Sequence, residues 1–263
     1  MIANPLAFYS NLIYSILFFV IIIRASKLIG KNERSMTAVF FTFSITSLAL
    51  SYLYWLAYDL LRPEIRMPFA ANEVGEMACN LLLASALTTV FSEKGMASYK
   101  EAIWGIALQI ACIFLWIGWS GEWIQDIVSG VALCYLVYMI VKALIVSEAF
   151  SRADWIFQGV AITALVALEG LTFALEGDLN RAVDTICYVL IFAICAYYLY
   201  KAFTAFRKNA DSKVLLSISC VGFLYGMNAM YMSSEPIYYA AELFDNIMLL
   251  LTAIAVKRVV MDE

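Results

Sequence analysis

Apolar residues run through this chain in nine blocks of about twenty, each set off from the next by a short polar stretch. The blocks lie near residues 6–28, 37–60, 73–92, 102–119, 123–145, 155–176, 182–203, 213–233 and 237–259. A helix of that length covers a bilayer core of about 30 Å. The weakest separation falls between Gly118 and Asp126, where only Gly121 and Glu122 mark a turn. The pattern predicts an all-α, polytopic integral membrane protein with nine transmembrane helices. After the first span the others pair into four hairpins, 37–92, 102–145, 155–203 and 213–259, within one membrane domain covering 1–263.

Composition supports that class. The chain is 64% hydrophobic and only 14% charged, against about 25% charged in soluble domains. Its mean hydropathy is +0.84. No basic region precedes the first block and no small-residue cleavage site follows it, so the block is expected to remain as a span.

Charge divides by loop. Fourteen of the seventeen basic residues fall on one set of loops: Arg24, Lys27, Lys31, Arg34, Lys94, Lys100, Lys142, Arg152, Lys201, Arg207, Lys208, Lys213, Lys257 and Arg258. The other set holds Arg62, Arg66 and Arg181, with thirteen of the twenty-one acids at or near it. Basic loops stay in the cytoplasm. The expected orientation therefore has the N-terminus outside and the C-terminus in the cytoplasm, in the cell inner (plasma) membrane. The acidic outer face would attract cations.

An acid recurs near the start of each returning helix: Glu76, Asp126, Asp184 and Asp245, spaced 50, 58 and 61 residues apart. This spacing points to an internal repeat of hairpins. Asp126 and Asp184 precede the basic ends of their helices by 16 and 17 residues, placing them about 24–26 Å from that boundary. For Glu76, Asp126 and Asp184 the favoured role is pairing with the helix N-terminus, where the dipole and free N–H groups welcome a negative charge. Asp245 precedes Lys257 by only 12 residues and lies deeper.

Glu73 with Glu76, and Glu242 with Asp245, are each three residues apart and share a helix face. Two carboxylates so placed can bind a cation or share a proton. Glu169 sits late in an outgoing helix, where the dipole disfavours an anion, and Asn228 occupies a comparable place in its own helix. Charge at membrane depth is costly and marks a site or a specific ion pair. Arg181 and the 62–66 arginines are the pairing alternatives for Glu169. Trp55 and Asp59 end an outgoing helix among Tyr52, Tyr54 and Tyr58; they line a pocket or serve core packing and local pairing with Arg62. The segment Arg62–Pro68 reads as a stiffened outer loop or a lid. The candidate ligand- or ion-binding residues are thus Glu169, Asp245, Asn228, Glu242, Glu76, Glu73, Asp184, Asp126, Trp55 and Asp59.

The chain has no histidine, so no His-ligated haem or zinc is expected. Its six cysteines lie in apolar blocks without a CxxC and read as small buried side chains. Lys142, Lys201 and Lys257 sit at cytoplasmic helix ends as anchors, so no Schiff-base lysine for retinal is expected. No phosphate loop, GxSxG or HExxH occurs. Expected partners are the lipid bilayer, a small molecule or cation at the outer face, and a cytoplasmic or membrane protein; no nucleic acid is expected.

Trp55-Leu-Ala-Tyr-Asp59 with Ala71-Asn-Glu73-Val-Gly-Glu76, and Ala182-Val-Asp184, give an acid-ended outgoing helix followed by a returning helix with an early acid. This arrangement resembles the multi-pass membrane sensor modules that precede histidine-kinase or diguanylate-cyclase domains in bacterial signalling proteins. The resemblance implies a sensory role and transfers no site residue. Only four residues follow Val259, so no such effector domain is expected after the last span. Three readings follow: a non-enzymatic receptor, sensory or accessory module binding a small ligand or cation through an acidic, aromatic-lined outer pocket; a small cation- or proton-coupled secondary transporter with a site near Glu169 and Asp245; and an intramembrane lipid-acting enzyme using paired carboxylates. The scarcity of helix-breaking proline weighs against the second. The want of an evident nucleophile weighs against the third.

Overall fold

Nine α-helices and no strands form over the residues that the computed structural model describes, which are 5–31, 35–61, 71–91, 100–121, 123–231 and 237–261. They are α1 (Pro5–Ser26), α2 (Ser35–Leu61), α3 (Ala71–Val90), α4 (Lys100–Ser120), α5 (Trp123–Val146), α6 (Arg152–Thr172), α7 (Gly177–Arg207), α8 (Ser212–Tyr231) and α9 (Ile237–Met261). By length and composition six of them, α1, α2, α5, α6, α7 and α8, are able to cross a membrane. The Arg62–Pro68 segment lies outside the described residues.

Contacts between distant segments fix the alternation of helix direction. Thr37 and Thr89 hydroxyls meet at 2.7 Å, joining the start of α2 to the end of α3. Ser147 donates to Ser217 at 3.1 Å, joining the end of α5 to the start of α8. Ser10 donates to Glu242 at 2.7 Å, joining the starts of α1 and α9. The end that holds the starts of α1 and α9, with Glu242 and Asp245, is called the acidic end below, and the opposite end, with Lys201, the basic end.

The turns follow from local chemistry. Ser151 caps α6 in a reciprocal capping box with Asp154, which satisfies N–H groups the first turn leaves open. Asp154 also accepts from Lys201 at 2.7 Å and from the Tyr197 hydroxyl, tying α6 to α7 at the basic end. Asn209, at φ 47°, ends α7 in the left-handed conformation that asparagine tolerates, and Ala210 N–H closes back onto the Ala205 carbonyl at 3.0 Å. Gly121 (φ 73°) supplies the α4–α5 turn expected from the sequence.

Most boundaries differ from the apolar pattern by a few residues, and two of the shifts bear on the acids. The sixth block stops at Thr172 rather than 176, and α7 begins at Gly177 rather than 182. Gly177 adopts φ 65° at the turn. Asn180 then donates to the Thr172 and Leu175 carbonyls at 2.6 and 2.9 Å, meeting acceptors that a helix end leaves open. Asp184 consequently lies seven residues into α7, past the first turn, whose acid is Asp178. The dipole-pairing role expected for Asp184 therefore passes to Asp178.

Polar content and burial explain each other. Thirteen of the twenty-five residues of α9 are buried, against two of twenty-one in α6. The acids of α9 and the asparagines of α3, Asn72 and Asn80, thus sit inside protein. The outward surface is apolar instead: Ile13, Ile16 and Phe19 of α1, Ile103 and Phe114 of α4, Val160 of α6 and Val189 of α7 are all exposed. Contiguous apolar surface of this kind fits a lipid surround. Lys142, expected as an anchor at a helix end, is buried with 6% exposure.

Helix α8 packs closely against α9. Gly222 and Gly226 are four residues apart on α8, the small-xxx-small spacing that lets helix backbones approach. A Cβ at Gly226 would run into Asp245 Oδ1 and stand 2.7 Å from its Cβ and 2.9 Å from its Cα.

Candidate functional site

The acidic end holds one group of carboxylates and tyrosines, built from α1, α2, α3 and α9. Glu242 and Asp245 lie on one face of α9, three residues apart, and each is only 2% exposed. Glu242 accepts from Ser10 of α1 at 2.7 Å, and Tyr52 of α2 is within hydrogen-bonding reach of it. Ser51, next to Tyr52, donates to Glu76 Oε1 of α3 at 3.2 Å. Tyr52, Tyr238 and Tyr14 share the electrostatic neighbourhood of Glu242 and Asp245, and the first two also that of Glu76.

The rings here are held edge to face. Tyr52 meets Tyr14 at 5.9 Å and Phe18 at 5.0 Å between centroids. Aromatic rings packed this way present both rims and faces to a ligand. Asp245 Oδ1 and Asn246 Oδ1 have no hydrogen-bond partner among the described residues, although both are buried. A buried carboxylate oxygen without a donor is costly, and such groups in native proteins call for an explanation. Among the described residues no three acids or cysteines stand close enough to hold a metal ion.

A second, smaller group lies between α4, α6 and α7. Glu169 faces Cys187 within hydrogen-bonding reach, with Asp184 and Cys112 in its electrostatic neighbourhood. Its Oε1 is buried and unpaired among the described residues. Arg181, the pairing alternative read from the sequence, bonds instead to Asp178 at 3.3 Å.

Of the remaining candidates, Asp126 and Asn228 have other partners. Asp126 accepts from Ser120 at 2.6 Å across the α4–α5 turn. Glu73 stands in the first turn of α3 and is half-buried. Trp55 is 37% exposed and meets Tyr54 and Tyr58 of its own helix edge-on. The side chain of Asp59 lies outside the described residues. Asn228 donates to the Leu224 carbonyl at 2.8 Å and faces a different space, a cavity of about 390 Å³ between α4, α5, α6, α7 and α8.

Sequence reasoning missed Ser10, Tyr14, Ser51 and Tyr238 as neighbours of the acids, and Gly226 as the backing of Asp245. The Gly222–Gly226 spacing was a readable signal for the last. No local signal marks Ser10, which reaches Glu242 from 232 residues away. No protein family, curated protein or solved structure matches this chain.

Proposed function

We propose that this is a non-enzymatic membrane receptor or sensory module that takes a small organic ammonium ion from the outer face. The observation that carries this reading is the burial of Glu242 and Asp245 together beside Tyr14, Tyr52 and Tyr238. A carboxylate balances the charge of an ammonium, and tyrosine faces attract it through their quadrupoles. The burial of these acids among tyrosine rings favours an organic cation, bound by charge and rings, over a metal bound by ligation. In this reading all nine helices cross the plasma membrane with the acidic end outside, in keeping with the clustering of basic residues at the opposite end. The basic loops then form the face that meets a cytoplasmic or membrane partner.

Thermal unfolding of the purified chain in lipid nanodiscs tests it, with tetramethylammonium, ethylammonium and sodium chlorides at matched ionic strength. A ligand at 100 times its Kd stabilises the folded state by about 2.7 kcal/mol. An ammonium salt is therefore expected to raise the midpoint by several degrees over sodium. Equal midpoints in all three salts would sink the reading. Accumulation of the ammonium ion inside proteoliposomes would replace it with the transporter reading.

A further inference from the structure

The cavity between α4, α5, α6, α7 and α8 is unlike the acidic site. Among the described residues no charged side chain lines it. Its walls are largely aliphatic and aromatic, with the thiols of Cys112 and Cys195, and are interrupted by Gln109, Gln158, Tyr225 and Asn228. Gln158 donates to the Tyr225 hydroxyl, and the Tyr225 ring stacks on Tyr198 at 5.0 Å, so that wall is held by its own contacts. The other two amides are incompletely used. Gln109 is 5% exposed, and its Nε2 has no acceptor among the described residues. Asn228 Oδ1 has no donor there. One donor and one acceptor thus stand unmet in an otherwise apolar space, where each is costly.

The cavity also has a way in. Towards the acidic end α4 and α6 are close: a Cβ at Gly118 would lie 3.4 Å from the Phe173 ring, and one at Gly170 would lie 4.0 Å from Leu115. Towards the basic end they part. Trp104 of α4 and Gly159 of α6 both line the cavity; Trp104 is 52% exposed, and a Cβ at Gly159 would meet nothing within 4 Å. Among the described residues the open space at Gly159 and the exposed Trp104 thus lie on two helices whose outer surfaces are apolar.

We infer that this cavity binds a neutral single-chain amphiphile that enters sideways from the bilayer, its apolar body between α4 and α6 and its polar end at Gln109 and Asn228. The volume falls within the range of small-molecule sites, about 300–1,000 Å³. A hydroxyl or primary amide accepts from Gln109 and donates to Asn228, which meets both open positions. A charged head group would find no counter-charge in the lining.

Photolabelling tests this with the full chain in phosphatidylcholine vesicles and hexadecanol carrying a diazirine in its chain. Labels are expected on the α4, α6 and α8 residues that line the cavity. Gly159→Phe fills the opening, where the structure leaves space, and is expected to lower labelling by about fivefold while the unfolding midpoint stays close to that of wild type. Unlabelled hexadecanol is expected to compete about tenfold better than hexadecyl phosphate or hexadecyltrimethylammonium. Gln109→Leu combined with Asn228→Leu is expected to remove the preference for hexadecanol over an equally long diazirine alkane. Labelling spread over the exposed faces of all helices and unchanged by Gly159→Phe would overturn the inference. So would equal competition by the charged amphiphiles, or an alcohol preference that survives the double substitution.

Discussion

Gly226→Ala is expected to lower the unfolding midpoint of the chain, although alanine is the better helix former. The propensity gain is about 1 kcal/mol at most. Against it stands the approach of Asp245, whose Cα and Cβ would lie 2.9 and 2.7 Å from the new methyl group. No side-chain rotation relieves a contact with backbone, so α8 and α9 must separate, and overpacking of this kind costs about 1–3 kcal/mol. Gly226→Leu extends the clash and is expected to prevent recovery of folded protein. Two controls set the scale. At Gly222 the obstructing atoms are the Met248 Sδ, Cγ and Cε, the far end of a flexible side chain, so Gly222→Ala is expected to be near neutral. At Gly159 nothing obstructs, and Gly159→Ala is expected to keep the propensity gain. Thermal unfolding of the three alanine variants gives the order directly. A midpoint for Gly226→Ala at or above that of Gly159→Ala would mean that the α8–α9 contact is not as described.

The acids of α9 are expected to give effects of opposite sign on stability and on binding. Asp245→Asn replaces a buried carboxyl group whose Oδ1 has no donor among the described residues. The amide removes the cost of an ionisable group in that buried place, so the midpoint of the unliganded protein is expected to rise. The same change removes a carboxylate from the ammonium site. Loss of one partner of a buried charge pair costs about 2 kcal/mol or more, which is roughly a 30-fold weakening. Glu242→Gln is expected to weaken binding similarly. It keeps an acceptor oxygen for Ser10, so its effect on the unliganded fold is expected to be smaller. Titration of tetramethylammonium against the unfolding midpoint reads both quantities in one experiment. Variants that lose stability but bind tetramethylammonium as wild type does would leave these acids a purely structural role.

The helices were legible because lipid imposes one requirement on every block, about twenty apolar residues with the backbone bonded internally. Interior position was less so. α9 and α3 carry acids and asparagines because other helices surround them, and only the packed bundle distinguishes that from the start of an exposed helix. Asp184 shows how a boundary decides a role: with α7 beginning at Gly177 it moves out of the first turn, and the dipole argument for it passes to Asp178. Helix period alone put Glu242 and Asp245 on one face. It carried no information on the tyrosines that surround them, since Tyr14 and Tyr52 come from α1 and α2. The cavity was the least legible feature. It arises where α4 and α6 diverge, and Gly105, Gly159, Gln109 and Asn228 carry no common spacing that would announce it.

Equilibrium binding of radiolabelled tetramethylammonium, which crosses membranes poorly, to sealed vesicles of both orientations addresses the central claim. The account predicts saturable binding of one equivalent per chain, only in vesicles whose acidic end faces the medium, and its loss in the Glu242→Gln, Asp245→Asn double variant. Equal binding in both orientations, or binding that the double variant leaves intact, would contradict it.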